Sequence, residues 1–255
     1  MRRLLFELLC PPRCIACGTL MPPAVGGATV PFCASCREAW ERERVADCPE
    51  CFQPIADCKC VPKLMQKAGV TRHVKLMLYG EDASFPTTRR VIATVKRRGS
   101  SRAFRYLAEE LKPAVLAAVR DAKNERGTRP ETVVSFLPRG VEAKREIGYD
   151  QAQRLAKALS EATGLPYQQL FTREKRGIAQ KLLRRRDRVK NVHNAFSLRQ
   201  EVYGKRVILV DDLVTTGAGM AEAAGMLLRA DAADVIAVSI ALTKKKQREK
   251  DYFSR

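Results

Sequence analysis

From residue 63 onward the chain alternates between two kinds of apolar pattern. One is short, continuous and rich in β-branched residues: "RHVKLMLYG" (72–80), "ETVVSFLP" (131–138), a short segment at 167–171, "KRVILVDD" (205–212) and "ADVIAVSIAL" (233–242). Runs of this length predict buried strands. The other pattern recurs every three to four residues and predicts helices. "FPTTRRVIATVKRRG" (85–99) is a short basic helix, and "SRAFRYLAEELKPAVLAAVRDA" (101–122) a longer one that Pro113 is expected to kink. "YDQAQRLAKALSEATG" (149–164) ends at Gly164, and "GAGMAEAAGMLLRAD" (217–231) is a small-residue helix. Strands that are apolar on both faces and separated by helices predict an α/β fold, a parallel sheet flanked by helices. In such sheets ligands bind at the carboxyl ends of the strands, which is where Asp211 and Asp212 fall.

Residues 1–62 follow a different rule. All nine cysteines lie between positions 10 and 60, and the 195 residues after them have none. Charge marks the same border. Residues 1–62 hold seven basic and seven acidic side chains, so the whole formal charge of +19 belongs to residues 63–255, with 40 basic and 21 acidic. Three units are therefore expected: a cysteine module at 1–62, an α/β domain at 63–242 and a basic tail at 243–255. An apolar fraction of 45% excludes a disordered chain, and no apolar run approaches the roughly eighteen residues of a membrane span. The start "MRRLLFELLC" is interrupted by Glu7 and reads as a short amphipathic helix rather than an export signal, so a cytoplasmic protein is expected.

In that compartment disulfides are rare, and the cysteines need another role. They pair as Cys14-x-x-Cys17, Cys33-x-x-Cys36, Cys48-x-x-Cys51 and Cys58-x-Cys60, with Cys10 left over as a helix residue. A two-residue gap in a tight turn aims two thiolates at one tetrahedral ion. Chain order allocates Cys14, Cys17, Cys33 and Cys36 to one zinc site, and Cys48, Cys51, Cys58 and Cys60 to another. Redox-active pairs are the competing reading, as is a single zinc with the shorter Cys58/Cys60 pair degenerate. So small a module could hardly fold without metal, and four thiolates leave no open position, so the zinc is structural.

The chemistry points to "VILVDDLVTTGAGM" (207–220). Two adjacent carboxylates, Asp211 and Asp212, end an apolar strand. Such groups accept hydrogen bonds from ribose hydroxyls and hold a magnesium–pyrophosphate unit through water. Thr215, Thr216, Gly217, Ala218 and Gly219 then turn into a helix, where backbone N–H groups, two hydroxyls and small side chains form a phosphate cradle. A plain turn with an N-cap is the bland alternative. Arg139, in the loop after the 131–138 strand, is the natural pyrophosphate contact. The basic stretch 173–190 reads as a mobile hood over the ligand. His73 and His193 have no partner motif and carry no catalytic expectation.

This signature resembles that of type I phosphoribosyltransferases. With the cysteine module ahead of it, the chain resembles the ComF family of competence-associated, amidophosphoribosyltransferase-like proteins. "LYGEDASFPTTRRVIATVKRRG", "VVSFLP…IGYDQAQRLAKAL" and "AQKLLRRRDRVKNVHNAF" follow in that family's order, over nearly the whole chain. The resemblance implies binding of phosphoribosyl pyrophosphate with Mg2+, and displacement at the anomeric carbon with pyrophosphate leaving. It also implies a place in DNA uptake, with single-stranded DNA and competence-machinery proteins as partners. The chain departs from the family at Ile147 and Asp150, where arginine and asparagine are usual, and at Gly219, where threonine is usual. The basic runs "KRRGSSRAFR", "RRRDRVK" and "KKKQREK" supply a field that attracts polyanions, although aromatic interleaving is thin. The competing function is a non-catalytic adaptor or sensor, in which the pocket only binds its ligand.

Overall fold

The computed structural model describes residues 11–22, 30–80, 84–121, 129–173 and 196–243. Four parallel strands form the sheet expected from the apolar runs, in the order β1 (Arg72–Tyr79), β6 (Asp234–Thr243), β5 (Arg206–Val214) and β2 (Thr132–Phe136). Residues of β5 and β6 alternate between two cores, as strand geometry requires. Ile208 and Val210 of β5, with Ile236 and Val238 of β6, pack under Leu107, Leu111, Leu155 and Leu159. Val207, Leu209, Val235 and Ala237 face the other way, against Ala223, Ala224, Leu227 and Met65.

The helices over the first face are α3 (Pro86–Arg98), α4 (Ser101–Asp121) and α6 (Gln151–Thr163); α7 (Ala218–Arg229) covers the second. The helix α4 continues through Pro113. That proline is on the exposed side, where the carbonyl it cannot satisfy is open to water. Gly164 ends α6 in the left-handed region at φ +74°, as expected of a glycine stop.

The strand expected at 167–171 is reduced to one parallel bridge between Tyr167 and Val134. The Val134 N–H donates to Pro166 O at 2.8 Å and the Gln168 N–H to Val134 O at 2.9 Å, but the next donor, the Leu170 N–H, goes to Ser135 Oγ at 3.2 Å instead of a β2 carbonyl, so the ladder stops. Regular pairing begins at β3 (Phe171–Arg173), antiparallel to β4 (Phe196–Leu198). Three short helices are absent from the sequence reading: α1 (Ala34–Arg44), α2 (Lys63–Lys67) and α5 (Val141–Ile147).

The cysteine-rich segment is tied to the sheet through α1. Trp40 is wholly buried, with the Phe32 ring 5.2 Å away, and Phe32 meets Tyr106 of α4 edge-on. Phe85, at the start of α3, has no capping side chain, and Glu43 of α1 supplies the cap instead. Its carboxylate accepts from the Thr87 and Thr88 amides at 2.7 and 2.8 Å and from the Thr88 hydroxyl at 2.7 Å. Arg44 pairs with Glu110 beside it. Among the described residues no helix is long and apolar enough to cross a membrane.

Candidate functional site

The strand β5 runs on past the acid pair to Val214, with Asp211 opposite Ser239 and Leu213 opposite Ala241 of β6. The carboxylates therefore belong to the last part of the strand, Asp211 three and Asp212 two residues before its final Val214, and are not in the loop after it. Asp212 is buried, and its Oδ2 accepts from Arg139 Nη2 at 3.2 Å. Asp211 is half-buried and accepts from the Asp212 amide at 2.8 Å. Burial, then the neighbouring Asp212 carboxylate, holds the Asp211 carboxyl well above the usual carboxylate range.

Beyond Val214 the chain turns through exposed Thr215 and Thr216 into α7. Gly217, the residue before the helix, has φ +78°, a conformation that only glycine adopts without strain. A Cβ there would lie 2.8 Å from Met65 Cγ, so the turn is seated directly on α2. The Thr216 hydroxyl accepts from the Ala218 amide at 3.3 Å, and Gly217 offers no side chain to the remaining first-turn amides. A Cβ on Gly219 would lie 3.0 Å from Leu137, so the small residue lets the helix start approach the loop after β2.

That loop is fixed by Asp150, whose role is visible only in the structure. Its buried carboxylate accepts from the Arg139 amide at 2.9 Å, lies 3.1 Å from Lys144 Nζ and accepts from the Gln153 amide at 3.4 Å. It thus caps α6 and anchors Arg139 at once. Its neighbours join α6 to α3. The Tyr149 hydroxyl donates to Val95 O and accepts from Gly99 N, both at 2.6 Å. Gln151 donates to Lys96 O at 2.7 Å, and Arg154 lies 4.0 Å over the Tyr149 ring. The departure at Asp150 is a structural acid, and Ile147 closes α5 before the left-handed Gly148.

The eight paired cysteines fall into two groups, in the allocation that chain order suggests. The sulfurs of Cys14, Cys17, Cys33 and Cys36 lie within 4.8 Å of one another, as do those of Cys48, Cys51, Cys58 and Cys60. Either set could hold a metal ion, and four sulfurs so gathered suit a soft tetrahedral one. The leading pairs share one knuckle. Cys14 and Cys48 each donate their amide to the residue five ahead, and each accepts from the residue four ahead. That residue is left-handed in both, Gly18 at φ +78° and Phe52 at φ +56°. Hydrogen bonds with Thr19 draw the Cys17 thiol down to about 6.

His73 is buried in β1 with its Nε2 2.8 Å from Ser239 Oγ. The Ser239 hydroxyl donates to Ala241 O, so it accepts from His73, which is the Nε2–H tautomer. Burial, then Lys75, pushes its pKa down to about 3, so the ring is a neutral core group. His193, the hood segment after Arg173, and the runs "RRRDRVK" and "KKKQREK" lie outside the described residues, as does Cys10. Arg173 is near the site, with Nη1 3.5 Å from Pro138 O. An open depression of about 450 Å³, lined by Leu198–Tyr203 with Ala230 and Asp231, lies at the amino end of the sheet, away from the acid pair.

The phosphoribosyl transferase domain family matches residues 64–254. DNA utilization protein YhgH of Salmonella typhimurium is 31% identical over 207 residues, 80% of this chain and 87% of that protein. Competence protein F of Haemophilus influenzae is 36% identical over 115 residues, 43% of this chain and 50% of that one. A solved structure of Trypanosoma cruzi hypoxanthine phosphoribosyl transferase matches 61% of this chain and 72% of its own at 17% identity with a TM-score of 0.37, too low to bear on function. With its parallel sheet, its paired cysteine clusters and these relatives, the chain belongs to the ComF family of phosphoribosyl transferase domain proteins.

Proposed function

We propose that the protein binds phosphoribosyl pyrophosphate with Mg2+ at the carboxyl end of β5 and acts as a phosphoribosyltransferase in DNA uptake. The observation that carries this is the acid pair standing next to a glycine turn at a helix start, with an arginine reaching in from the neighbouring strand's loop. Asp211 and Asp212 would accept from the ribose hydroxyls. The amides of Gly217, Ala218 and Gly219, with the Thr215 and Thr216 hydroxyls, would hold the 5′-phosphate. Arg139 would turn from Asp212 to the pyrophosphate, where positive charge stabilises the leaving group.

Carboxylate oxygens are the donors a hard cation prefers, and Asp211 and Asp212 offer four of them side by side near the strand's end. Mg2+ would supply neutralisation of the departing pyrophosphate. Zinc is the reading of the two cysteine clusters, a structural ion in each, within a zinc-ribbon module at 1–62 ahead of the domain at 63–242 and the tail at 243–255. A cytoplasmic location, where disulfides are rare, is consistent with cysteines held by metal.

The test is pyrophosphate release from phosphoribosyl pyrophosphate in the presence of magnesium and candidate acceptors. Release that Asp212→Asn abolishes supports the enzyme. Saturable ligand binding without release under every acceptor supports the adaptor or sensor. The exposed Arg97, Arg98 and Arg105 give single-stranded DNA a surface to contact. Salt-sensitive retention of the strand that Asp212→Asn leaves unchanged would place that contact outside the pocket.

A further inference from the structure

The geometry assigns Lys75 as the buried counter-charge of the second cysteine cluster, so that metal retention at Cys48, Cys51, Cys58 and Cys60 depends on it while retention at the first cluster does not. The assignment rests on reading the clusters as zinc sites. Lys75 lies in the middle of β1 and is 3% exposed, in a strand whose other inward residues are apolar or neutral. Its Nζ donates to Cys58 O at 3.0 Å, to Cys60 O at 3.0 Å and to His73 O at 3.4 Å. Three acceptors use three N–H groups, which an ammonium has and a neutral amine lacks.

Among the described residues no carboxylate forms an ion pair with that ammonium. A buried charge without a partner is strongly disfavoured, so the chain must supply negative charge nearby. Among the described residues, the source in contact is the cluster to which Cys58 and Cys60 belong. Four thiolates around a divalent ion carry a net charge of about −2. Part of that excess is buried, because Cys48 and Cys58 pack with Ile55, Leu78 and Phe85, while Cys51 and Cys60 are half-buried. The first cluster is different. Cys17 is exposed, as none of the second cluster's cysteines is, so water screens more of its charge. Lys75 thus does two things: it orients the Cys58–Cys60 backbone through its carbonyls, and it offsets thiolate charge on the buried side of the cluster, where Cys48 and Cys58 lie. Hydrogen-bonding partners outside the ligand set tune metal affinity by roughly 10- to 100-fold.

The test measures zinc per chain and cysteine reactivity on the full-length protein. Lys75→Met keeps the stem and removes the charge, Lys75→Gln keeps a donor without charge, and Lys75→Arg keeps the charge. After dialysis against a moderate chelator, wild type should keep two zinc ions per chain and all eight paired cysteines should resist alkylation. Lys75→Met and Lys75→Gln should fall to one ion, with Cys48, Cys51, Cys58 and Cys60 alkylated and the first four protected. Their second-site affinity should drop at least roughly 10-fold. Lys75→Arg should keep the second ion. Retention of both ions by Lys75→Met and Lys75→Gln overturns the assignment, and so does equal loss from the arginine and glutamine variants. Should one variant fail to fold, the remaining pair still decides. Wild type that binds no zinc, with every cysteine alkylated, instead overturns the zinc reading on which the assignment stands.

Discussion

Asp150→Ala should cost about 3 kcal/mol of folding stability, from three losses of unequal weight. The largest is the Arg139 amide, which donates at 2.9 Å to a carboxylate whose side chain is 1% exposed. A hydrogen bond to a buried charge contributes roughly 1.5–3 kcal/mol, and removing the acceptor strands the donor. The α6 cap is a long bond of 3.4 Å, which places it near the low end of the roughly 0.5–2 kcal/mol range for caps. Lys144 is 35% exposed, so solvent screening holds its share below about 1 kcal/mol. Asp150→Asn separates these contributions. One amide oxygen can still accept from Arg139, so the loss should shrink to about 1 kcal/mol. The assay is urea unfolding of the full-length protein, read as a shift in midpoint at constant slope. An alanine variant within about 0.5 kcal/mol of wild type would refute this account of the loop. An asparagine variant as unstable as the alanine one would refute the assignment of the Arg139 amide as the main contribution.

Glu43→Ala leaves two amides of the first turn of α3 without their acceptor, and should cost about 3 kcal/mol in the same assay. A loss below about 1 kcal/mol would mean that water replaces the carboxylate and that α1 does not secure α3. His73 predicts an acid-sensitive stability. Its native pKa of about 3 lies below the ordinary 6.5, so between those values the unfolded chain takes up a proton that the native state refuses. Stability is then fully present above the unfolded value and is lost as pH falls, by roughly 1.4 kcal/mol per unit. From about pH 7.5 to about pH 5.5, wild type should lose about 1.4 kcal/mol more than His73→Gln; parallel losses would show that His73 does not titrate as a buried neutral ring.

The sequence carried the sheet because β5 and β6 are apolar on both faces, and their short length and β-branched content separate them from buried helices. Helices α3, α4, α6 and α7 were legible for the same reason, each having a clear apolar stripe and most a glycine or proline at an end. The three missed helices have five to eleven residues, too few turns for periodicity to register, and in α1 Cys36 and the basic and acidic residues mask the face that buries Trp40. Chain order allocated the cysteines because each knuckle is local. The acid pair and its turn were legible as one contiguous motif. The parts that join it to the rest were not. Asp150 contacts Arg139 from eleven residues away, Glu43 contacts Thr87 from 44, and Gly217 meets Met65 from the far side of the sheet's chain order. Contacts of that separation leave no local pattern; only folding brings them together.

The central claim is that Asp211, Asp212 and the 215–219 turn form one phosphoribosyl site. Calorimetric titration of phosphoribosyl pyrophosphate with magnesium into wild type and into Asp211→Asn/Asp212→Asn tests it most directly. Saturable binding by wild type that the double variant weakens at least roughly 100-fold is the predicted result, in keeping with two charge-assisted hydrogen-bonding groups lost from one site. Folded wild type that gives no saturable heat, or a double variant that binds as wild type does, would contradict it.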